Sequence, residues 1–593
     1  MKSLLTIALS ALSATSFATQ IKYTVSMPQP HTHYFEIEAI ITDITTPTLV
    51  MKMPVWAPGS YLVREFARHV EGVTTTVNSK TNIATKTAKN TWNITTNGAR
   101  QLTFNYKVYA NELSVRTSCV NADHAYINGT SVFMYIDKQQ NIPYQVTINK
   151  PAEWKTISTA LPLKTGTTYE AKNYDQLVDC PIEIGNHTTF EFTAAGTQHR
   201  VALYGTGNYN IDSLKKDMAK ITTETTNVVG ENPNKTYDFI IHNLTVPSGG
   251  LEHMNATTLE VNRFTYAPAA SYKQFLALVA HEYFHLWNVK RIRPIALGPF
   301  DYENENYTNL LWVSEGFTSY YEERIVHRAG YETNTEYLEY LAGTIASVEN
   351  QPGSRVQSAN DASFDAWIKQ YRPHENSNNT TISYYGKGEI IAAALDLLII
   401  NNTNANKSLD DVMRLLYNEY YKKQNRGFTD LEFKQAVATI ANTNVDEFWD
   451  KYIAGTERID FKTYLSYAGL DFKTKPTAPS APYLGATLVE VGGKLIVKTV
   501  MRGASAYESG LNADDEIIAV DNYRVNQDKF TKYIAAKKLN DEVTLTVSRD
   551  DIVRNLTIKL KGSPSLTYTI DKLTEQTDKQ RQVRKKWLNS IDN

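Results

Sequence analysis

Short apolar and polar alternation dominates the first third of the chain. The runs "HYFEIEAIIT", "PTLVMKMPVW", "QLTFNYKVYA" and "SVFMYID" are rich in β-branched and aromatic residues and are broken by Asn, Gly and Pro turns. This pattern predicts a β-rich, predominantly antiparallel domain over residues 19–203. From 204 to 472 the spacing lengthens to a helical one, as in "YKQFLALVAHEYFHLWNVKRI", "GEIIAAALDLLII" and "LDDVMRLLYNEYY". That segment is expected to be a mainly helical domain, opened by two strand-like runs, "YDFIIHNL" and "TTLEVNRF", with "TVPSGGLEHMNA" between them. "KTKPTAPSAPYLG" reads as a linker. Short strands return over 481–562 ("KLIVKTV", "EIIAVD", "EVTLTVS", "NLTIKL"), and 563–593, with "EQTDKQRQVRKKWLNSI", reads as a charged helical tail. The expected fold class is multidomain α+β.

Length agrees with that division, because 593 residues are too many for one hydrophobic core. Composition narrows the partners. A formal net charge of -2 gives no global attraction for polyanions, so nucleic acid is not an expected partner. Residues 1–18, with Lys2, an apolar run from Leu4 and a small-x-small Ser16-Phe17-Ala18, read as a signal peptide cleaved after Ala18. No later apolar run reaches the ~20 residues of a spanning helix, so a membrane-spanning protein is not expected. The expectation is an exported protein, periplasmic or secreted, in a bacterium. Export leaves two readings for Cys119 and Cys180: one disulfide, or two buried thiols. N-x-S/T triplets occur at Asn93, Asn128, Asn186, Asn243 and Asn255, and in a bacterium they would carry no glycan.

The chemistry starts at "HEYFH". His281 and His285 stand four apart, which on a helix stacks both imidazoles on one face within reach of a shared metal. Two satisfied core histidines would show the same spacing. Glu282 between them changes the weighting, since in H-E-x-x-H the glutamate is the base that takes a proton from water rather than a ligand. A catalytic Zn2+ wants three protein ligands and one open position. The candidate third ligand is Glu315, 30 residues after His285 in "NLLWVSEGFTSYYEE".

"HEYFH" followed by "WVSEGFTSYY" resembles the gluzincin metallopeptidases, whose third ligand is the glutamate of an E-G motif. The wording "HEYFHLWNVKRIRP", with "WAPGSYLVREFARH" and "NGTSVFMY" upstream, resembles the M61 glycyl aminopeptidase family across nearly the whole chain. The resemblance implies a thermolysin-like catalytic domain holding Zn2+ through His281, His285 and Glu315, with Glu282 as base. It also implies that "GGLEHMN" grips the substrate's free amino group through Gly249, Gly250 and Glu252, although His253 stands where relatives carry asparagine. In "SYYGKG" it gives the oxyanion-stabilising hydroxyl to Tyr385, with Tyr384 as the neighbouring candidate. Peptide substrates with small first residues, glycine or alanine, are implied by the resemblance alone.

The C-terminal strands resemble a PDZ domain. Leu484, Gly485 and Ala486 take the place of the loop that receives a C-terminal peptide carboxylate, which leaves two readings for the domain: capture of such a peptide, or a purely packing role. Asp514 replaces the usual glycine of the following turn. Three functions remain open to test: an aminopeptidase, a thermolysin-type endopeptidase that cuts blocked peptides, and a non-catalytic peptide-binding scaffold.

Overall fold

The computed structural model describes residues 19–247 and 249–588. The leader expected over residues 1–18 lies outside them. The described chain forms two compact units, one comprising the residues up to Ala57 with Arg64–Thr188, the other Pro58–Val63 with everything from Thr189 onward.

The first unit is all but entirely β, built on an eight-stranded sheet flanked by two four-stranded ones. Alternation explains its register. Phe35, Ile37, Ala39 and Ile41 are buried and stand opposite Val108, Tyr106, Phe104 and Leu102, also buried, so a slip of one residue would expose both sets. Three buried tyrosines then fix the irregular "VFM" segment. Tyr106, Tyr174 and Tyr23 donate to the carbonyls of Val132 (2.8 Å), Phe133 (2.6 Å) and Met134 (2.5 Å), giving non-strand backbone the partners that burial demands. Asn128 is buried at the start of the same segment, its Oδ1 accepting from the Thr130 amide and hydroxyl. Cys119 and Cys180 are both buried thiols, so no disulfide joins them.

The second unit opens with a five-stranded sheet ordered Thr188–Ala194, Thr197–Tyr204, Thr236–Leu244, Ala256–Asn262, Gly249–Glu252. The expected domain boundary at 203 is therefore displaced. The strands from Thr188 to Tyr204 alternate like those before them, yet Thr197–Tyr204 pairs in parallel with Thr236–Leu244 across the helix Ile211–Val229. Alternation reveals a strand but not which sheet it joins. Helices follow, and those carrying the motifs are Ala269–Phe284, Gly316–Arg328 and Tyr384–Asn402.

His199 on the second strand is fully buried, stacked on Phe192 and bonded to the Tyr283 hydroxyl at 2.8 Å. Burial lowers its pKa to about 4. Its imidazole titrates near 6.5 when unfolded, so below that pH the unfolded chain takes up the proton first. The stabilisation is whole above pH 6.5 and falls by about 3 kcal/mol as the pH drops to 4. A His199→Gln variant should accordingly lose less melting temperature between pH 7 and pH 4.5 than the parent, as calorimetry would read; equal slopes would exclude His199 as the source.

The C-terminal third also departs from the sequence pattern. The expected linker begins as a strand, Leu470–Pro476, and the expected helical tail opens as another, Leu566–Lys572; the two pair antiparallel from Leu470↔Lys572 to Pro476↔Leu566. Asn350 bonds both the amide and the carbonyl of Leu566 at 2.8 Å. Between the two strands lies the PDZ domain, whose core gathers Leu484, Val497, Ile517, Leu545 and Val547. Asp514 adopts φ 67° at the turn where glycine was expected, and Asp515 beside it is fully buried against Arg549. After the ribbon, the helix Asp578–Leu588 buries Val583, Arg584, Trp587 and Leu588 in the second unit. The PDZ domain is thus an insertion between the helical domain and that domain's own last helix.

Candidate active site

The helix Ala269–Phe284 loses its polar face toward its C-terminal end, where Val279, Ala280, Tyr283 and Phe284 are all buried. His281 and the capping His285 leave this end with ring centroids 4.7 Å apart. Each ring is held by its Nδ1. That of His281 donates to the Glu322 carboxylate, and that of His285 to the Asn288 carbonyl at 2.5 Å. Both Nε2 atoms then keep a lone pair, and they face Glu315 Oε2 at 3.5 and 3.3 Å. Three acceptors converge on one point, with ligand atoms within 4.8 Å of one another. Two imidazoles and a carboxylate, oriented from behind, suit a tetrahedral zinc ion with one open position.

Two glycines bring Glu315 to this point. A Cβ on Gly316 would lie 2.4 Å from the Gly388 Cα, and one on Gly388 would lie 2.3 Å from the Trp312 carbonyl oxygen. The E-G and K-G motifs are thus the crossing point of two helices in backbone contact. That crossing sets Glu315 and the tyrosines of "SYYGKG" on the same side. Tyr385 is half-buried, its ring parallel to that of His281 at 6.4 Å. Tyr384 is fully buried, 4.8 Å from Tyr385 between centroids.

Glu282 faces the edge strand Gly249–Glu252. A Cβ at Gly250 would sit 2.1 Å from Glu282 Oε1, so the base can lie against the strand only because residue 250 has no side chain. Burial pushes Glu282 up to about 7, Glu252 and Glu315 adding to the shift and His281 and His285 opposing it. Glu252 and Glu282 each have one buried carboxylate oxygen without a hydrogen-bond partner among the described residues. The carboxylates of both and His285 also fall within 4.8 Å of one another. The structure therefore brings His281, His285, Glu315, Glu282, Glu252, Gly250 and Tyr385 close together, with Gly249 opening the strand at φ 100°. In the PDZ domain, Leu484 and Gly485 lead into the edge strand Ala486–Val491.

Sequence reasoning missed Glu322 and Asn288. Glu322 lies seven residues after Glu315, two turns along the same helix face, and that spacing was the available signal. Its role has a direct test. Glu322→Gln should weaken zinc binding by about 10–100-fold in a competitive chelator titration; unchanged affinity would show that His281 needs no such support.

The chain matches the Peptidase M61 N-terminal domain over residues 22–186, M61 glycyl aminopeptidase over 274–391 and a PDZ domain over 482–560. Among solved structures it is similar to an aminopeptidase N family protein from Idiomarina loihiensis, at 30% identity and TM-score 0.89, covering 96% of this chain and 100% of that one. A fainter likeness joins it to an M1 zinc metallopeptidase from Deinococcus radiodurans solved with a Tyr-Ser-Ala substrate, at 15% identity and TM-score 0.44, over 71% of this chain and 89% of that one. The comparison with curated proteins gives no match. The succession of matched domains and a relative that aligns with 96% of this chain make the family plain: the chain belongs to the M61 glycyl aminopeptidases.

Proposed function

We propose that the protein is a zinc-dependent aminopeptidase that removes a small first residue, glycine or alanine, from peptides. The observation that carries this reading is the pair of buried, partly unsatisfied carboxylates, Glu252 and Glu282, close together beside His285. An endopeptidase needs one of them, as base. The second gives a protonated α-amine the paired charge that a desolvated ammonium requires. The preference for glycine is supported by the family description alone, and alanine is added as the next smallest side chain.

In this mechanism His281, His285 and Glu315 would hold the ion, which supplies Lewis acidity that makes water a better nucleophile and polarises the scissile carbonyl. The substrate's main chain lies along the edge strand Gly249–Glu252, with its ammonium on Glu252. Glu282 accepts the proton of the attacking water and delivers it to the departing amine. The Tyr385 hydroxyl donates to the oxyanion as it forms; such a donor is typically worth about 2.7–4 kcal/mol in the barrier.

The test compares Gly- and Ala-anilides with their N-acetylated forms, with and without chelator. Hydrolysis confined to free amines, abolished by chelator and restored by zinc, is expected. Hydrolysis of acetylated substrates would make the protein an endopeptidase, and no hydrolysis by the zinc-loaded protein would leave it a scaffold.

A further inference from the structure

One segment far from the peptidase in sequence belongs to it in space. The Val55 carbonyl accepts from the amides of Arg64 (2.7 Å) and Glu65 (3.1 Å), so the chain leaves and returns through a pinched neck. Of the loop between, Pro58–Val63 clusters with the peptidase unit rather than with the strands on either side. Ser60 and Tyr61 are at most 2% exposed. Connecting loops run over surfaces because their backbone groups need water, so two buried residues at the middle of one call for an explanation. Its tip rests on the amine anchor. A Cβ on Gly59 would lie 2.5 and 2.7 Å from the two carboxylate oxygens of Glu252, and φ 90° there admits little but glycine.

Two residues on, the Tyr61 ring is met edge-on by Trp367 at 5.6 Å and by Tyr371 at 6.2 Å. Burial raises its hydroxyl pKa well above the usual value, and the charges of Glu315 and Glu252 add to that.

We propose that Tyr61, carried with Gly59 on the loop Pro58–Val63, is the wall that limits the side chain accepted at the substrate's first residue. The proposal rests on Glu252 being the amine anchor. With the ammonium on Glu252 and the carbonyl turned toward Glu282 and Tyr385, two substituents of the first α-carbon are fixed. Its side chain is left facing the region that Gly59 and the braced ring occupy. Hydrogen or methyl fits there; a branched or aromatic side chain must displace a ring held by two others.

The experiment measures kcat/KM for Gly-, Ala-, Leu- and Phe-anilides with the full-length zinc enzyme, Tyr61→Ala and Tyr61→Phe. Tyr61→Ala should raise the Leu-to-Gly ratio at least about tenfold, chiefly through KM, whereas Tyr61→Phe keeps the parental ratio because the ring is the wall. An unchanged ratio in folded Tyr61→Ala overturns the proposal. If that variant does not fold, Trp367→Leu removes the bracing ring and reads the same ratio. Cleavage of N-acetylated substrates by the parent would overturn the anchor reading itself. A parent confined to free amines, with no shift in Tyr61→Ala, would overturn the wall alone.

Discussion

Glu282→Gln should yield a folded, zinc-binding protein whose kcat is lower by about 10²–10⁴-fold. The substitution is close to isosteric, and it touches neither the three ligands nor their Nδ1 partners. It also disturbs little else, because Glu282 Oε2 has no hydrogen-bond partner among the described residues. A buried carboxylate beside Glu252 and Glu315 is an electrostatic cost in the folded state, and an amide relieves it. The melting temperature should hold or rise while turnover falls. Metal content, calorimetry and kcat together check this, and a variant that retains parental kcat would remove Glu282 from the mechanism.

Trp587→Ala should destabilise the peptidase unit by about 3–5 kcal/mol. The side chain is fully buried, its indole N–H donates to the Tyr320 hydroxyl at 3.0 Å, and that hydroxyl donates to Asp396 at 2.6 Å. Arg324, also fully buried, lies over both the Trp587 and Tyr337 rings. Truncation therefore opens a cavity and strips one face from a buried cation. The same helix supplies the control: Lys585 is exposed, and Lys585→Ala should change stability by no more than about 0.5 kcal/mol. Denaturant titration of both variants measures the contrast. Equal, small effects would mean that the tail helix only lies on the surface.

Much of the site was legible because its residues are close in sequence or joined by strong motifs. His281, Glu282 and His285 sit on one helical turn, and Glu315 is marked by its E-G neighbour. What the motifs do not disclose is why the glycine is there. Gly316 matters through Gly388, 72 positions away, and only packing shows that both must lack a side chain. Tyr61 and Glu252 are separated more widely still, and no periodicity links a loop of one sheet to an anchor on another. The end of the helical domain and the start of the tail were misplaced for a related reason, whereas the PDZ limits, 481–562, agree with the match over 482–560. Leu470–Pro476 carries Pro and Lys like a linker, yet it is a strand because Leu566–Lys572 pairs with it. Local composition describes flexibility in isolation, and pairing across nearly a hundred residues overrides it.

The ribbon that frames the PDZ domain also orders events during synthesis. Chains are made from the N-terminus and domains fold as they emerge. The three candidate metal ligands are complete once Glu315 has been made, but Trp587 follows the whole of the inserted domain. Until it arrives, Tyr320, Arg324 and Tyr337 lack the side chain that closes over them. Those three lie on the Glu315 helix and the one after it, so the element that carries the third ligand settles last. Packing around the Glu315 helix is thereby completed by a side chain made only after the whole inserted domain.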